Sequence, residues 1–244
     1  MKKLILLTIL LLPLLTLSQT QLGSDIDGEA ASDYSGHSVS IDSDGSHVAI
    51  GAYSNDGNGS DSGHVRIYSW DGIHTDWIQV GGDIDGEATT DSSGYSVSID
   101  SDGSHVAIGA YLNDGNGDDS GHVRIYSWDG SAWNQVGNDI DGEAPGDYSG
   151  GSVSIDSDGS HVAIGARYHD GYTGHVRIYS WDGSAWTQVG NDIDGEAAGD
   201  YSGRSVSIDS DGSHVAIGAE RNYANGSNAG HVRVLAPYGV TGNN

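Results

Sequence analysis

Ser96-Val97-Ser98-Ile99-Asp100-Ser101-Asp102-Gly103-Ser104-His105-Val106-Ala107-Ile108-Gly109-Ala110 is the stretch that decides the fold. Its two halves alternate small or polar residues with branched apolar ones, the period of a strand, and Asp102-Gly103 between them is a tight-turn dipeptide. The stretch reads as a β-hairpin. The same fifteen letters return at 38–52, 152–166 and 205–219. Downstream, a polar loop, N-D-G-N-G-D-D-S-G, leads to a third strand, His122-Val123-Arg124-Ile125-Tyr126-Ser127-Trp128, and Asp129-Gly130 turns the chain toward Trp133. Upstream, Trp77-Ile78-Gln79-Val80 reads as a strand ending near Ile84, followed by the loop D-I-D-G-E-A-T-T-D-S-S-G from Asp83 to Gly94. The string D-I-D-G-E-A starts at Asp25, Asp83, Asp139 and Asp192, so successive copies lie 58, 56 and 53 residues apart. Such self-similarity marks one supersecondary unit stacked on itself.

Four antiparallel strands joined by tight turns make a propeller blade. The fold class expected is therefore all-β, a β-propeller of four four-stranded antiparallel blades. The ends of the array are out of phase with the blade. Gln19-Thr20-Gln21-Leu22-Gly23 aligns with Trp77-Ile78-Gln79-Val80-Gly81, an outer strand with no blade before it. The last copy runs to His231-Val232-Arg233-Val234-Leu235 and lacks an outer strand, with Pro237 where the others have Trp. The N-terminal strand is expected to close the last blade, shutting a ring and removing open sheet edges. Closure would favour a monomer; the alternative is a fragment of a longer propeller.

Composition narrows the function. The 244 residues include 39 Gly, no Phe and no Cys, so no disulfide framework exists. Lys2 and Lys3 precede an apolar run, Leu4 to Leu17, too short to span a bilayer, and residues 1–18 read as a signal peptide. The expected organisation is 1–18 signal peptide, 19–240 propeller of four repeats and 241–244 C-terminal tail, with the protein secreted, periplasmic or on the cell surface. The net charge of −26 opposes nucleic acid and anionic membrane as partners, because both require cationic surface. No later segment reads as transmembrane. The six Trp flank the outer turns as pairs and are expected to pack across strands and between blades.

The pairing of S-G-x-S-V-S-I-D with V-A-I-G-A, followed by G-H-V-R-I-Y, resembles the FG-GAP repeat of integrin alpha-chain propellers, in the style of its bacterial secreted branch. The resemblance runs from Gln19 to about Val240. Ser35-Gly36, Ser93-Gly94, Ser149-Gly150 and Ser202-Gly203 stand at the family's Phe-Gly. Gly51-Ala52, Gly109-Ala110, Gly165-Ala166 and Gly218-Ala219 stand at its Gly-Ala-Pro, the Pro replaced by Tyr, Tyr, Arg and Glu. The resemblance implies an extracellular propeller that binds proteins or glycans without catalysis. It also implies a calcium loop in the hairpin, but here that loop holds only Asp42 and Asp44, Asp100 and Asp102, Asp156 and Asp158, or Asp209 and Asp211. Two carboxylates fall short of the about six to eight oxygens calcium takes.

The stronger metal candidate is the interblade loop. Asp25, Asp27, Glu29 and Asp33 repeat as Asp83, Asp85, Glu87 and Asp91, as Asp139, Asp141, Glu143 and Asp147, and as Asp192, Asp194, Glu196 and Asp200. A hard cation, Ca2+, would relieve the repulsion among these carboxylates; the alternative is a solvated acidic loop. Two sets of four His, at 47, 105, 161, 214 and at 64, 122, 175, 231, each start a strand. No nucleophile elbow or phosphate loop is present, and fourfold repetition is unlike an asymmetric active site. The expectation is a non-catalytic module for a protein or carbohydrate ligand, with a structural repeat segment as alternative and a propeller hydrolase or lyase last. The departures from repetition at Ile73–Asp76, His169–Tyr172 and Arg221–Tyr223 are where a unique ligand contact is expected.

Overall fold

The computed structural model describes residues 19–236. The signal-peptide and C-terminal-tail assignments, 1–18 and 241–244, lie outside the described residues. The first sheet holds β1 (Ser38–Ile41), β2 (His47–Ala52), β3 (His64–Asp71), β4 (Asp76–Gln79) and β5 (Ile84–Asp85). The second holds β6 (Ser93–Ile99), β7 (His105–Ala110), β8 (His122–Trp128), β9 (Trp133–Gln135) and β10 (Ile140–Asp141). The third holds β11 (Ser152–Ile155), β12 (His161–Ala166), β13 (His175–Trp181), β14 (Trp186–Gln188) and β15 (Ile193–Asp194). The last holds β16 (Ser202–Ile208), β17 (Val215–Ala219) and β18 (His231–Leu235).

Each full sheet is a meander in the order β1-β2-β3-β4, and β5 pairs with the same edge of β3 as β4 does. The outer strand is thus one strand broken in two. Gln79 pairs with Tyr68 and Ile84 with Val65, and between them Gly81 takes φ 76°, where a side chain would run into Trp128. Outer-edge Trp pairs face each other in register, Trp70 with Trp77, Trp128 with Trp133 and Trp181 with Trp186, ring centroids 5.4–5.5 Å apart. Trp133 Nε1 also donates to the Val80 carbonyl of the preceding blade at 2.8 Å, and Trp186 Nε1 to Val136 likewise. Both expected Trp roles, across strands and between blades, are present.

The core lies between blades. Val65 and Ile67 of β3 pack against Val97, Ile99, Val106 and Ile108 of the next sheet, and the same set returns at the second and third junctions. Small residues let the sheets approach closely: a Cβ on Gly109 would lie 2.1 Å from the Gly150 carbonyl oxygen. Serines stitch the junctions, Ser96 Oγ donating to Gly150 O at 2.7 Å and Ser101 Oγ to Ser157 O at 2.6 Å. The four-blade all-β expectation holds, with the inner strands small and the bulk outside.

Ring closure by the N-terminal segment is not found. Among the described residues the last sheet has three strands, and Gln19–Ile26 forms none. That segment is held on the first blade instead: Trp77 Nε1 donates to the Leu22 carbonyl at 3.1 Å and the Ser24 amide to Asp76 Oδ1 at 3.0 Å. The reason is legible in the sequence. The outer strand is anchored elsewhere by a Trp facing a Trp; here Gln19 replaces one and Pro237 the other.

Candidate functional site: the loop face

The interblade loops and the polar loops that follow each hairpin lie on one face. Asn58 Nδ2, in the polar loop after β2, donates to the Gly86 and Glu87 carbonyls of the following interblade loop at 2.8 and 3.2 Å. Asn116 repeats this with Gly142 and Glu143. The Asp-Gly hairpins occupy the opposite end of the strands.

The four acids of an interblade loop have different fates. The fourth is buried and spent on the fold: Asp91 Oδ2 accepts from the Ala88 amide at 2.9 Å and from Asn113 Nδ2 at 3.1 Å, and Asp33 and Asp200 do the same with Asn55 and Asn222. Asp147 takes His169 Nδ1 at 3.1 Å in place of the Asn. The first acid, Asp25, Asp83, Asp139 or Asp192, accepts from the Gln four residues earlier. The second contributes its main chain, since the Asp27, Asp85, Asp141 and Asp194 carbonyls receive Arg66, Arg124, Arg177 and Arg233. The recurring Arg of each blade thus pairs with an Asp main-chain carbonyl rather than with its carboxylate. The carboxylates nearest these guanidinium groups in the first three blades belong to Glu29, Glu87 and Glu143, at 3.8, 3.5 and 3.7 Å.

Acids do converge, but across two loops and around a histidine. His122 Nδ1 lies 3.9 Å from both Glu87 and Asp139, and His64 Nδ1 lies 3.8 Å from Glu29 and 4.0 Å from Asp83. In the third blade His169 stacks on His175 at 3.9 Å, and Glu143 completes the group. These three clusters could hold a metal ion. The distances are too long for hydrogen bonds, and both ring nitrogens of buried His122 and His175 lack a partner. Burial lowers His122 and His175 to about 4, so both rings are neutral at neutral pH. Burial also raises the Glu87 carboxyl, with Arg124 opposing. Glu196 and His231, in the last blade, are 3.6 Å apart.

In both the hairpin and the interblade loop some of the acids are already engaged by protein donors. In the hairpin, Asp42 is buried and its oxygens are taken by the Ser46 amide and hydroxyl and by His47 Nδ1 at 2.8 Å. Asp100, Asp156 and Asp209 bind His105, His161 and His214 likewise. These histidines are turn partners. In the interblade loop the buried fourth acid is already satisfied, and in the first two blades the third acid of one loop and the first acid of the next converge on a histidine.

One feature of this face escaped the sequence reading, a string of tyrosines crossing the blades. Tyr34 stacks on Tyr53 at 5.3 Å, Tyr53 meets Tyr95 at 5.8 Å, and Tyr95 meets Tyr111 at 4.1 Å. The string continues through Tyr148, Tyr168 and Tyr201, with Tyr172 stacked on Tyr201 at 5.4 Å. Arg167 lies 4.7 Å over Tyr168, and Arg221 lies 4.4 Å over Tyr201. Burial raises the Tyr111 and Tyr148 phenols. The signal was available: Tyr follows Asp in D-Y-S-G at 34, 148 and 201, and Tyr53, Tyr111 and Tyr168 stand within two residues after Gly-Ala. Only strand register shows that these positions adjoin. Two of the three departures from repetition join the string, through Tyr172 and Arg221.

Among the described residues no helix is long and apolar enough to cross a membrane. The chain is similar in fold to Kuenenia stuttgartiensis hydrazine synthase, at TM-score 0.53 and 12% identity over 89% of this chain and 49% of that one. It is also similar to a chain of a nidogen/laminin complex, at TM-score 0.52 and 10% identity over 84% and 62%. The chain thus spans about half to three-fifths of these structures' lengths. No curated protein matches it. The FG-GAP repeat model matches residues 25–68, 84–126 and 192–235, together more than half of the sequence. With the Gly-Ala corners, the four-stranded meanders and the interblade loops in place, the chain belongs to the FG-GAP repeat family.

Proposed function

We propose that this is a secreted or cell-surface, non-catalytic recognition propeller whose tyrosine string receives a protein or glycan partner. The observation that carries this is the string itself. Eight rings, six half-buried and two exposed, share one face, and tyrosine offers large contact area at low conformational cost. Arg167, against Tyr95 and Tyr168, and Arg221, over Tyr201, supply cationic donors beside the rings of an otherwise acidic protein. Catalysis is disfavoured because the His–acid groups repeat from blade to blade. Glycan and peptide arrays probed with the full chain identify the partner. The Tyr168→Ala/Tyr201→Ala variant should then lose at least tenfold in affinity, and unchanged binding would refute the face assignment.

A second role rests on the buried, partnerless nitrogens of His122 and His175. Two carboxylates and an imidazole, or one carboxylate and two imidazoles, suit a borderline divalent ion such as zinc better than calcium. Zinc should raise the melting temperature, and His122→Gln should reduce that rise. Stabilisation by millimolar calcium that survives His122→Gln would return the ion to the acidic loops.

A further inference from the structure

The two ends of the array are complementary halves of one junction, and both are bare. On the first blade Val39 and Ile41 are 64% and 60% exposed, whereas their equivalents Val97, Ile99, Val153 and Ile155 are at most 9% exposed. On the last blade Val232 and Val234 are 67% and 68% exposed, whereas Val65, Ile67, Val123 and Ile125 are at most 1% exposed. The three internal junctions are built by setting the first kind of face on the second.

The polar stitching is unfinished in the same way. Three bonds recur at each internal junction. A serine hydroxyl donates to a glycine carbonyl, as Ser152 to Gly203; an isoleucine amide donates to a serine hydroxyl, as Ile208 to Ser154; and a hairpin serine amide donates to the next hairpin, as Ser157 to Ser210. Ser205 Oγ, Ser207 Oγ and the Ser210 amide stand ready at one end, and the Gly36 carbonyl, Ile41 amide and Ser43 carbonyl at the other. None of these pairs is made among the described residues. A groove of about 650 Å3, lined by Ser205, Gly218 and Val232, marks the open side of the last blade.

The N-terminal segment completes the match. Gly23 takes φ 70°, as Gly81 and Gly137 take 76° and 74°, and Gln21 bonds Asp25 as Gln79 bonds Asp83. Held on the first blade by Trp77, it already has the shape of a broken outer strand but lacks a sheet to finish. The last blade is the sheet that lacks one.

We infer that the last blade of one copy docks on the first blade of a second copy, head to tail. The segment Gln19–Ile26 of each copy then supplies the fourth strand beside β18 of the other. Two such junctions between two copies leave neither end bare, which closes the assembly as a dimer rather than an open filament.

Sedimentation velocity of the full chain at micromolar concentration should give twice the chain mass. Val234→Asp and Ile41→Asp should each weaken association at least a hundredfold. Both positions face solvent in a single copy, so each variant should keep the wild-type circular dichroism. Ile73→Asp, at an outer turn, should associate like wild type. An equimolar mixture of Val234→Asp and Ile41→Asp should regain association, because one head and one tail remain intact. A wild-type chain that stays monomeric, single variants that still dimerise, or a mixture that stays monomeric would each overturn the inference. None of these readouts depends on the tyrosine string or on metal.

Discussion

Asp91 shows how a repeated acid can look like a ligand in sequence and be a brace in structure. Its buried carboxylate ties the Ala88 amide to the Asn113 side chain, joining two loops. Asp91→Ala leaves both donors unpaired in the interior and should cost about 2 kcal/mol or more by urea denaturation. Glu87→Gln, at a half-exposed carboxylate, should cost less than about 1 kcal/mol. The buried histidines set the pH response. Their folded values, about 4, lie below the ordinary 6.5, so the unfolded chain binds the extra protons as pH falls. Stability contributed by the neutral rings is whole above pH 6.5 and is lost toward pH 4, on the order of 2 kcal/mol per histidine by pH 5. His105 opposes this, because its bond to Asp100 raises it and favours the folded state at low pH. Denaturation at pH 7 and pH 5 should show the loss, and His122→Gln/His175→Gln should flatten it. The acid residues themselves were legible, since their spacing is exact in the repeat. Their division of labour was not, because burial and the reach of Asn113 or His122 come from neighbouring loops far off in sequence.

Strands and turns were the most legible part. Alternation in S-V-S-I and V-A-I-G-A, with Asp-Gly between them, placed the hairpins within a few residues of β6 and β7. The tyrosine string was not legible, because its members come from the starts of inner strands and the ends of their neighbours, and adjacency there depends on blade-to-blade register. Glycines separate packing from turn chemistry. Gly109→Ala pushes a methyl into the Gly150 carbonyl and should destabilise by at least about 3 kcal/mol, with a lower melting temperature. Gly82→Ala meets nothing within 4 Å and has no positive φ, so it should be neutral or stabilise by up to about 1 kcal/mol.

At the scale of the whole molecule, charge and topology dominate. A net charge of −26 on 244 residues repels itself, and salt screens that repulsion with a Debye length of about 10 Å at 0.1 M. The melting temperature should rise between 10 mM and 500 mM sodium chloride, and a fall would show that the Arg–Glu pairs outweigh the repulsion. Blade number was legible from sequence and closure was not, because closure turns on whether one Trp-less strand binds its own chain or another. The stagger between copy and sheet, in which each sheet borrows its outer edge from the next copy, has a genetic corollary. Excising residues 83–138 would splice Gly82 onto Asp139 and recreate the same D-I-D-G seam. A gene that gains or drops one whole module at this seam leaves every remaining sheet with the edge it had before.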